Sequence, residues 1–161
     1  MTIAIRLAKL TDAPALCAVI NPLVERGGTT ANETPWTVAY AEDILNSFGP
    51  RDFCHVAEED GRVIGFQYVE THPDLDEDTG DIASFAAIDA AGRGVGKALA
   101  AATCAEAKAR GWAKLFAYIR ADNTGGLAYY ESIGFRTIYV DEKRPLKSGT
   151  LVDRIAKLKS L

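Results

Sequence analysis

Apolar and polar residues alternate through Ile3-Ala-Ile-Arg-Leu7, the period of a strand with one buried face. A helical period follows, with Leu16, Val19, Ile20 and Leu23 on one side; Thr11 or Asp12 is placed to cap its start and Gly27-Gly28 to end it. After the loop Thr29-Thr-Ala-Asn-Glu-Thr-Pro-Trp36, a second helix is predicted from about Thr37 to Ser47, stopped by Gly49-Pro50. Phe53 to Glu58 and Val63 to Glu70 read as strands joined through Asp60-Gly61, a turn signal for an antiparallel hairpin. Another strand-like run reaches Ala87. The helix after it lines up Val95, Ala98, Leu99, Ala102, Ala105 and Ala109, and Gly111 is placed to close it with a left-handed residue. Leu115 to Ile119 reads as a strand, Gly125 to Ser132 as a short helix and Phe135 to Val140 as a strand. The alternation in Leu151 to Leu158 fits a strand and also permits a helix.

Hairpins early and strand-helix-strand units late point to an α+β domain, with a mixed sheet of about six or seven strands flanked by about four helices. With 48% hydrophobic residues, 161 positions fill one core, so residues 1–161 are expected to form a single domain. The net charge of −4 leaves no basic footprint for nucleic acid. No leader and no apolar run near about 18 residues is visible, so no membrane partner is expected and a cytoplasmic location is. Cys17, Cys54 and Cys104 are odd in number and lack C-x-x-C spacing, which predicts buried thiols in a reducing compartment. His55 and His72 are too few and too far apart to predict a metal site.

The chemistry concentrates between residues 81 and 135. Asp81-Ile-Ala-Ser-Phe-Ala-Ala87 leads into Ala91-Gly-Arg-Gly-Val-Gly-Lys97 at the start of a helix, where unpaired N–H groups and a positive dipole end favour an anion such as phosphate. A dinucleotide fingerprint fails, since Lys97 or Leu99 stands where a glycine or alanine is needed. A nucleotide-triphosphate loop fails too, with Ala91 in place of glycine and Ala98 in place of Ser or Thr.

The remaining pattern resembles the GNAT family of N-acetyltransferases. Its cofactor loop, Gln/Arg-x-x-Gly-x-Gly/Ala, falls on Ala91 to Gly96, and its second signature falls on Asn123 and Tyr130-Glu-Ser-Ile-Gly-Phe135. The resemblance extends to Ile3-Ala-Ile-Arg6 and Thr11-Asp12. One departure is Ala91 at the Gln/Arg position; Arg93 offers positive charge two residues on. The resemblance implies acetyl-coenzyme A as cosubstrate and no metal. It implies a cofactor site of Phe85, Ala86, Ala87, Gly92, Arg93, Gly94, Val95, Gly96, Lys97, Ala98, Asn123 and Tyr130, with strand backbone at 85–87 pairing with the pantetheine arm.

Acetyl transfer to an amine needs a base, an oxyanion donor and an acid for the leaving thiolate. Tyr130 is the expected acid, and Tyr129, about 100° round the helix, is read as packing. Asp81 matches the acidic position that the family often carries before the loop and is the expected base. Glu33 is its competitor; Glu33, Thr34 and Trp36 lie in a loop resembling that of the phosphinothricin and methionine-sulfoximine acetyltransferase subgroup, which lines the acceptor site. Glu70, His72 and Asp74 fall near the same end of the strand. The expectation is acetylation of a small, amino-acid-like primary amine by a homodimer. Protein or polyamine acetylation, an acyl-coenzyme A sensor without turnover, and a purely structural subunit are the alternatives.

Overall fold

Strand β1 (Ala4–Leu7) leads through a single 3₁₀ turn to α1 (Ala13–Arg26) and α2 (Val38–Ser47) in the computed structural model, which describes residues 2–161. β2 (Phe53–Glu59), β3 (Arg62–Glu70) and β4 (Thr79–Ala86) come next, then α3 (Val95–Ala109), β5 (Lys114–Arg120), α4 (Thr124–Ser132), β6 (Arg136–Pro145) and β7 (Leu151–Ser160). The strands make one sheet in the order β1-β2-β3-β4-β5-β7-β6, antiparallel throughout except where β4 meets β5. This is the α+β domain that the pattern predicts.

Two helices cover each face. On one, α1 and α2 bury Leu16, Ile20 and Ala41 against Val56 and Phe66. On the other, α3 sets Val95 and Leu99 beside Ala57 and Ile64, and α4 adds Tyr130 to a cluster with Ile82 and Ile119. The hairpin between β2 and β3 turns at Asp60 (φ 52°) and Gly61 (φ 77°), the doubled positive φ of a turn whose twist matches the strands.

Asp12, the end of β6 and Cys104 depart from the sequence reading, whereas the last segment is the strand that its alternation fits. Asp12 does not cap α1 with its side chain; its carboxylate accepts from Lys9 N at 2.7 Å and from the two terminal guanidinium nitrogens of Arg6. β6 runs to Pro145, beyond the predicted end at Val140, because an edge strand exposed on both faces needs no alternation. The Leu151–Ser160 segment is a strand, inserted between β5 and β6. Cys17 and Cys54 are buried free thiols as expected, whereas Cys104 is only half-buried. Among the described residues no helix is long and apolar enough to cross a membrane.

Candidate active site where two parallel strands part

β4 and β5 share a ladder only over Thr79–Asp81 and Lys114–Phe116. Beyond Asp81 each keeps its other neighbour, β4 paired to β3 through Ala86 and β5 to β7 through Arg120. The sheet therefore splits down its middle. A cavity of about 180 Å³ fills the split, lined by Ser84, Phe85, Tyr118, Arg120, Asn123 and Tyr130 among others.

Tyr130 is fixed there by how its helix ends. Phe135 N–H donates to the Tyr130 carbonyl and Gly134 N–H to that of Glu131, at 2.9 and 3.1 Å, with Gly134 at φ 99°. This double closure demands a left-handed residue followed by an apolar one that packs back on the last turn. The rings of Phe135 and Tyr130 meet at 5.1 Å between centroids. Tyr-x-x-x-Gly-Phe is thus a helix stop that also locks the tyrosine. Its hydroxyl lies 2.7 Å from Ser84 Oγ, and burial pushes the phenol pKa up against the lowering effect of that bond. Tyr129 does more than pack: its hydroxyl donates to Gly96 O at 2.8 Å and accepts from Gln67 Nε2 at 3.0 Å.

The glycine loop divides by role. Gly92 (φ 77°) and Gly94 (φ 83°) are left-handed, and a Cβ on either would meet nothing within 4 Å. They present open backbone ahead of α3, whose first N–H groups have no helical partner. Gly96 is small for another reason, since a Cβ there would stand 2.6 Å from Tyr129 Cε1. Val95 is buried under the loop, whereas Lys97 is exposed and Ala98 continues the first turn. Arg93 turns back to pair with Glu59 at the end of β2, which offsets its charge. Open left-handed turn, helix start and unpaired strand edge fit an extended ligand with a pyrophosphate and an amide-bearing arm. Of the strand residues assigned to that arm, Ala87 has its N–H on Ile64 O and its carbonyl on Ala90 N, both at 2.9 Å; Phe85, two residues back, faces β3 with the same parity, and Ala86 between them turns its backbone groups to the free edge.

Asn123 acts twice in the protein itself. Its Oδ1 accepts from Gly126 N at 2.9 Å to cap α4, and its Nδ2 donates to Thr29 O at 3.0 Å. With Arg120 donating to Thr30 O at 3.0 Å, it holds the α1–α2 loop across the split.

The predicted acids lie in separate cavities, each sharing a wall with this centre. Asp81 shares a cavity of about 340 Å³ with His72, Asp74, Tyr118 and Asp141, and Tyr118 is also a wall of the central cavity. Burial raises the Asp81 pKa to about 6, with His72 lowering it and Glu70, its partner across the ladder, adding to the rise. Glu33 and Thr34 line a third cavity of about 410 Å³ with Tyr40 and Lys147, joined to the centre through Ala31 and Asn32. The exposed Glu33 carboxylate accepts from Ser148 N at 2.8 Å, and the Ser148 bonds lower its pKa. Trp36 touches that cavity but is only 6% exposed, packed against Phe66 and Phe85.

Gln67, Ser84, Tyr118, Arg120 and Arg154 were not singled out from sequence. Gln67 carries a visible signal, a lone amide inside the apolar run Val63 to Val69. The others become site residues only through the split.

The chain is similar to known proteins in sequence and in fold. The profile described as Acetyltransferase (GNAT) family matches residues 24–135. Mycothiol acetyltransferase of Kocuria rhizophila is 35% identical over 103 residues, 58% of this chain and 33% of that protein. That of Nocardia farcinica is 31% identical over 118 residues, 73% of this chain and 38% of that protein. The chain spans about a third of the length of these curated relatives. The ribosomal-protein-alanine N-acetyltransferase from Brucella melitensis superposes with a TM-score of 0.89 at 28% identity, over 98% of this chain and 99% of its own. The phosphinothricin acetyltransferase from Sinorhizobium meliloti in complex with AcCoA has the same fold, with a TM-score of 0.89 at 24% identity over 100% of this chain and 89% of its own. With the profile matching well over half of its residues, the chain belongs to the GNAT family of acetyltransferases.

Proposed function

We propose that this protein transfers an acetyl group from acetyl-coenzyme A to the primary amine of a small, amino-acid-like acceptor. The observation that carries the reading is the β4–β5 ladder ending at Asp81, with the open glycine turn beyond one strand and Tyr130 set between the two. The cosubstrate supplies an activated acetyl thioester. Backbone from Gly92 to Ala98 holds its pyrophosphate, and the strand at Phe85 and Ala86, with Ala86 facing the open side, holds its arm. Asp81 takes a proton from the acceptor's ammonium group, and Tyr130 gives one to the leaving sulfur.

An amino-acid-like acceptor is supported by charge of both signs around the split. Arg120 and Arg154 line the centre, and Asp81 and Glu33 the cavities beside it. The Arg154 Nε is buried without a partner among the described residues. A second reading, a cationic acceptor such as a polyamine or a protein N-terminus, is favoured by Asp74, Asp81 and Asp141 around one cavity. A cytoplasmic homodimer completes the proposal, supported by the three free cysteines and by exposed Ile138 and Val140 on the edge strand β6.

A panel of amino acids, polyamines and N-terminal peptides, assayed for release of free coenzyme A thiol, tests the reading. Turnover with an amino acid is expected. Turnover with polyamines alone would select the second reading, and tight acetyl-coenzyme A binding with no thiol released by any amine would leave a sensor.

A further inference from the structure

Tyr129 and Tyr130 stand at the two ends of one hydrogen-bonded chain. Tyr129 Oη donates its one proton to Gly96 O at 2.8 Å, so toward Gln67, 3.0 Å away, it can only accept. The Gln67 atom facing it is therefore the amide nitrogen, whose other hydrogen goes to Ser84 Oγ at 2.7 Å. Ser84 thus accepts from Gln67 and keeps its own proton to give. Tyr130 Oη lies within reach at 2.7 Å, and among the described residues it has no other hydrogen-bond partner. Gln67 is fully buried at 0% exposure, and its Oε1 has no partner among the described residues, so the amide is held through its nitrogen.

We propose that Gln67 and Ser84 are positioning residues for Tyr130. The polarity of the chain makes Ser84 the donor to Tyr130 Oη, turns the phenolic proton toward the β4–β5 split, and holds the phenolate once that proton has left. The inference rests on Tyr130 acting as the acid. In that step the Tyr130 proton moves to the sulfur that leaves with the C–S electron pair, and the phenolate, bonded by Ser84 O–H, regains a proton from water. A phenol whose pKa burial already raises leaves a costly anion behind, and Ser84 is placed to stabilise it. The chain also begins at Gly96, so it ties the orientation of the acid to the first turn of α3.

Two readouts test this. With tyrosine labelled at ¹³Cζ and no cosubstrate present, the Tyr130 resonance is the one missing from Tyr130→Phe. Ser84→Ala and Gln67→Glu should both shift it, the first by removing the donor and the second by drawing the Ser84 proton to the new carboxylate. Gln67→Leu, which avoids a buried carboxyl group, should shift it less and in the same sense. In turnover, Ser84→Ala should lower kcat about ten- to a hundredfold, the scale of a lost bond to a charged group, with acceptor KM unchanged. It should also move the alkaline limb of the pH profile to higher pH, because an unassisted phenol ionises later. Ser84→Thr should restore rate and limb. A rate loss with limb and resonance unmoved would mean a structural role only and overturn the proposal. Full kcat in Tyr130→Phe would instead overturn the acid reading on which it rests, and the resonance shifts would still report the bond.

Discussion

In the proposed reaction Asp81 pulls stability and catalysis in opposite directions. Its carboxyl group is held at about pKa 6 chiefly by burial, so the folded protein binds this proton more tightly than the unfolded chain does. That preference favours folding below the ordinary carboxylate range and is lost as the pH rises through about 6. Asp81→Asn should therefore raise stability by about 1–3 kcal/mol near neutral pH, with variant and parent converging at about pH 4 in thermal or urea melts. The same substitution should lower kcat and flatten the acidic limb of the rate profile, because the group that must lose its proton is gone. Glu33, anchored to Ser148 N at the rim of another cavity, behaves differently. Glu33→Gln should raise the acceptor KM and leave that limb in place, since a binding contact serves ground and transition states alike. The reverse pattern would exchange the two roles.

At the scale of elements, the three loop glycines answer to different constraints. Gly94→Val puts a β-branched side chain on a φ of 83°, in open space and directly ahead of α3. Acetyl-coenzyme A affinity by calorimetry should fall while circular dichroism keeps the folded spectrum, and unchanged affinity would remove the loop from the site. Gly96→Ala collides with the Tyr129 ring and should cost about 1–3 kcal/mol of stability, the usual penalty of overpacking. Sequence reading located this loop and the strand before it, because glycine, helix start and strand each leave a compositional mark. It did not separate the glycines, since what touches Gly96 comes from a helix 33 residues away in sequence. Tyr130 was legible through the resemblance of Asn123 and Tyr130 to Phe135 to a family signature, which the structure shows to contain a helix stop. Ser84 was not, because a small hydroxyl residue in a strand becomes informative only when the tyrosine it faces is known. The length of β6 was hidden by the charged run Asp141 to Arg144, which on an exposed edge strand carries no alternation to read.

At the scale of the molecule, a seven-stranded sheet is held together by antiparallel pairs on both sides of one short parallel contact. The split costs the interior little pairing, since β4 and β5 each retain a full partner, and it creates a polar cleft in the middle of a packed domain. The edge strand β6 exposes Ile138 and Val140 at 41% and 47%, and Leu151 at the start of its neighbour β7 is 59% exposed. Unpaired backbone with exposed apolar side chains favours self-association, so sedimentation should show a dimer, and Val140→Lys should shift it toward monomer without loss of fold; a monomeric parent at working concentration would contradict this. Acetyl transfer in the split with Tyr130 as the acid is the central claim. Its most direct test is the rate of free coenzyme A release with a turned-over amine, compared between the parent protein and Tyr130→Phe at equal cosubstrate saturation. The account predicts a loss of roughly a hundredfold or more in kcat with acetyl-coenzyme A affinity unchanged; a parent that binds acetyl-coenzyme A yet releases no thiol with any amine, or a Tyr130→Phe protein as fast as the parent, would contradict it.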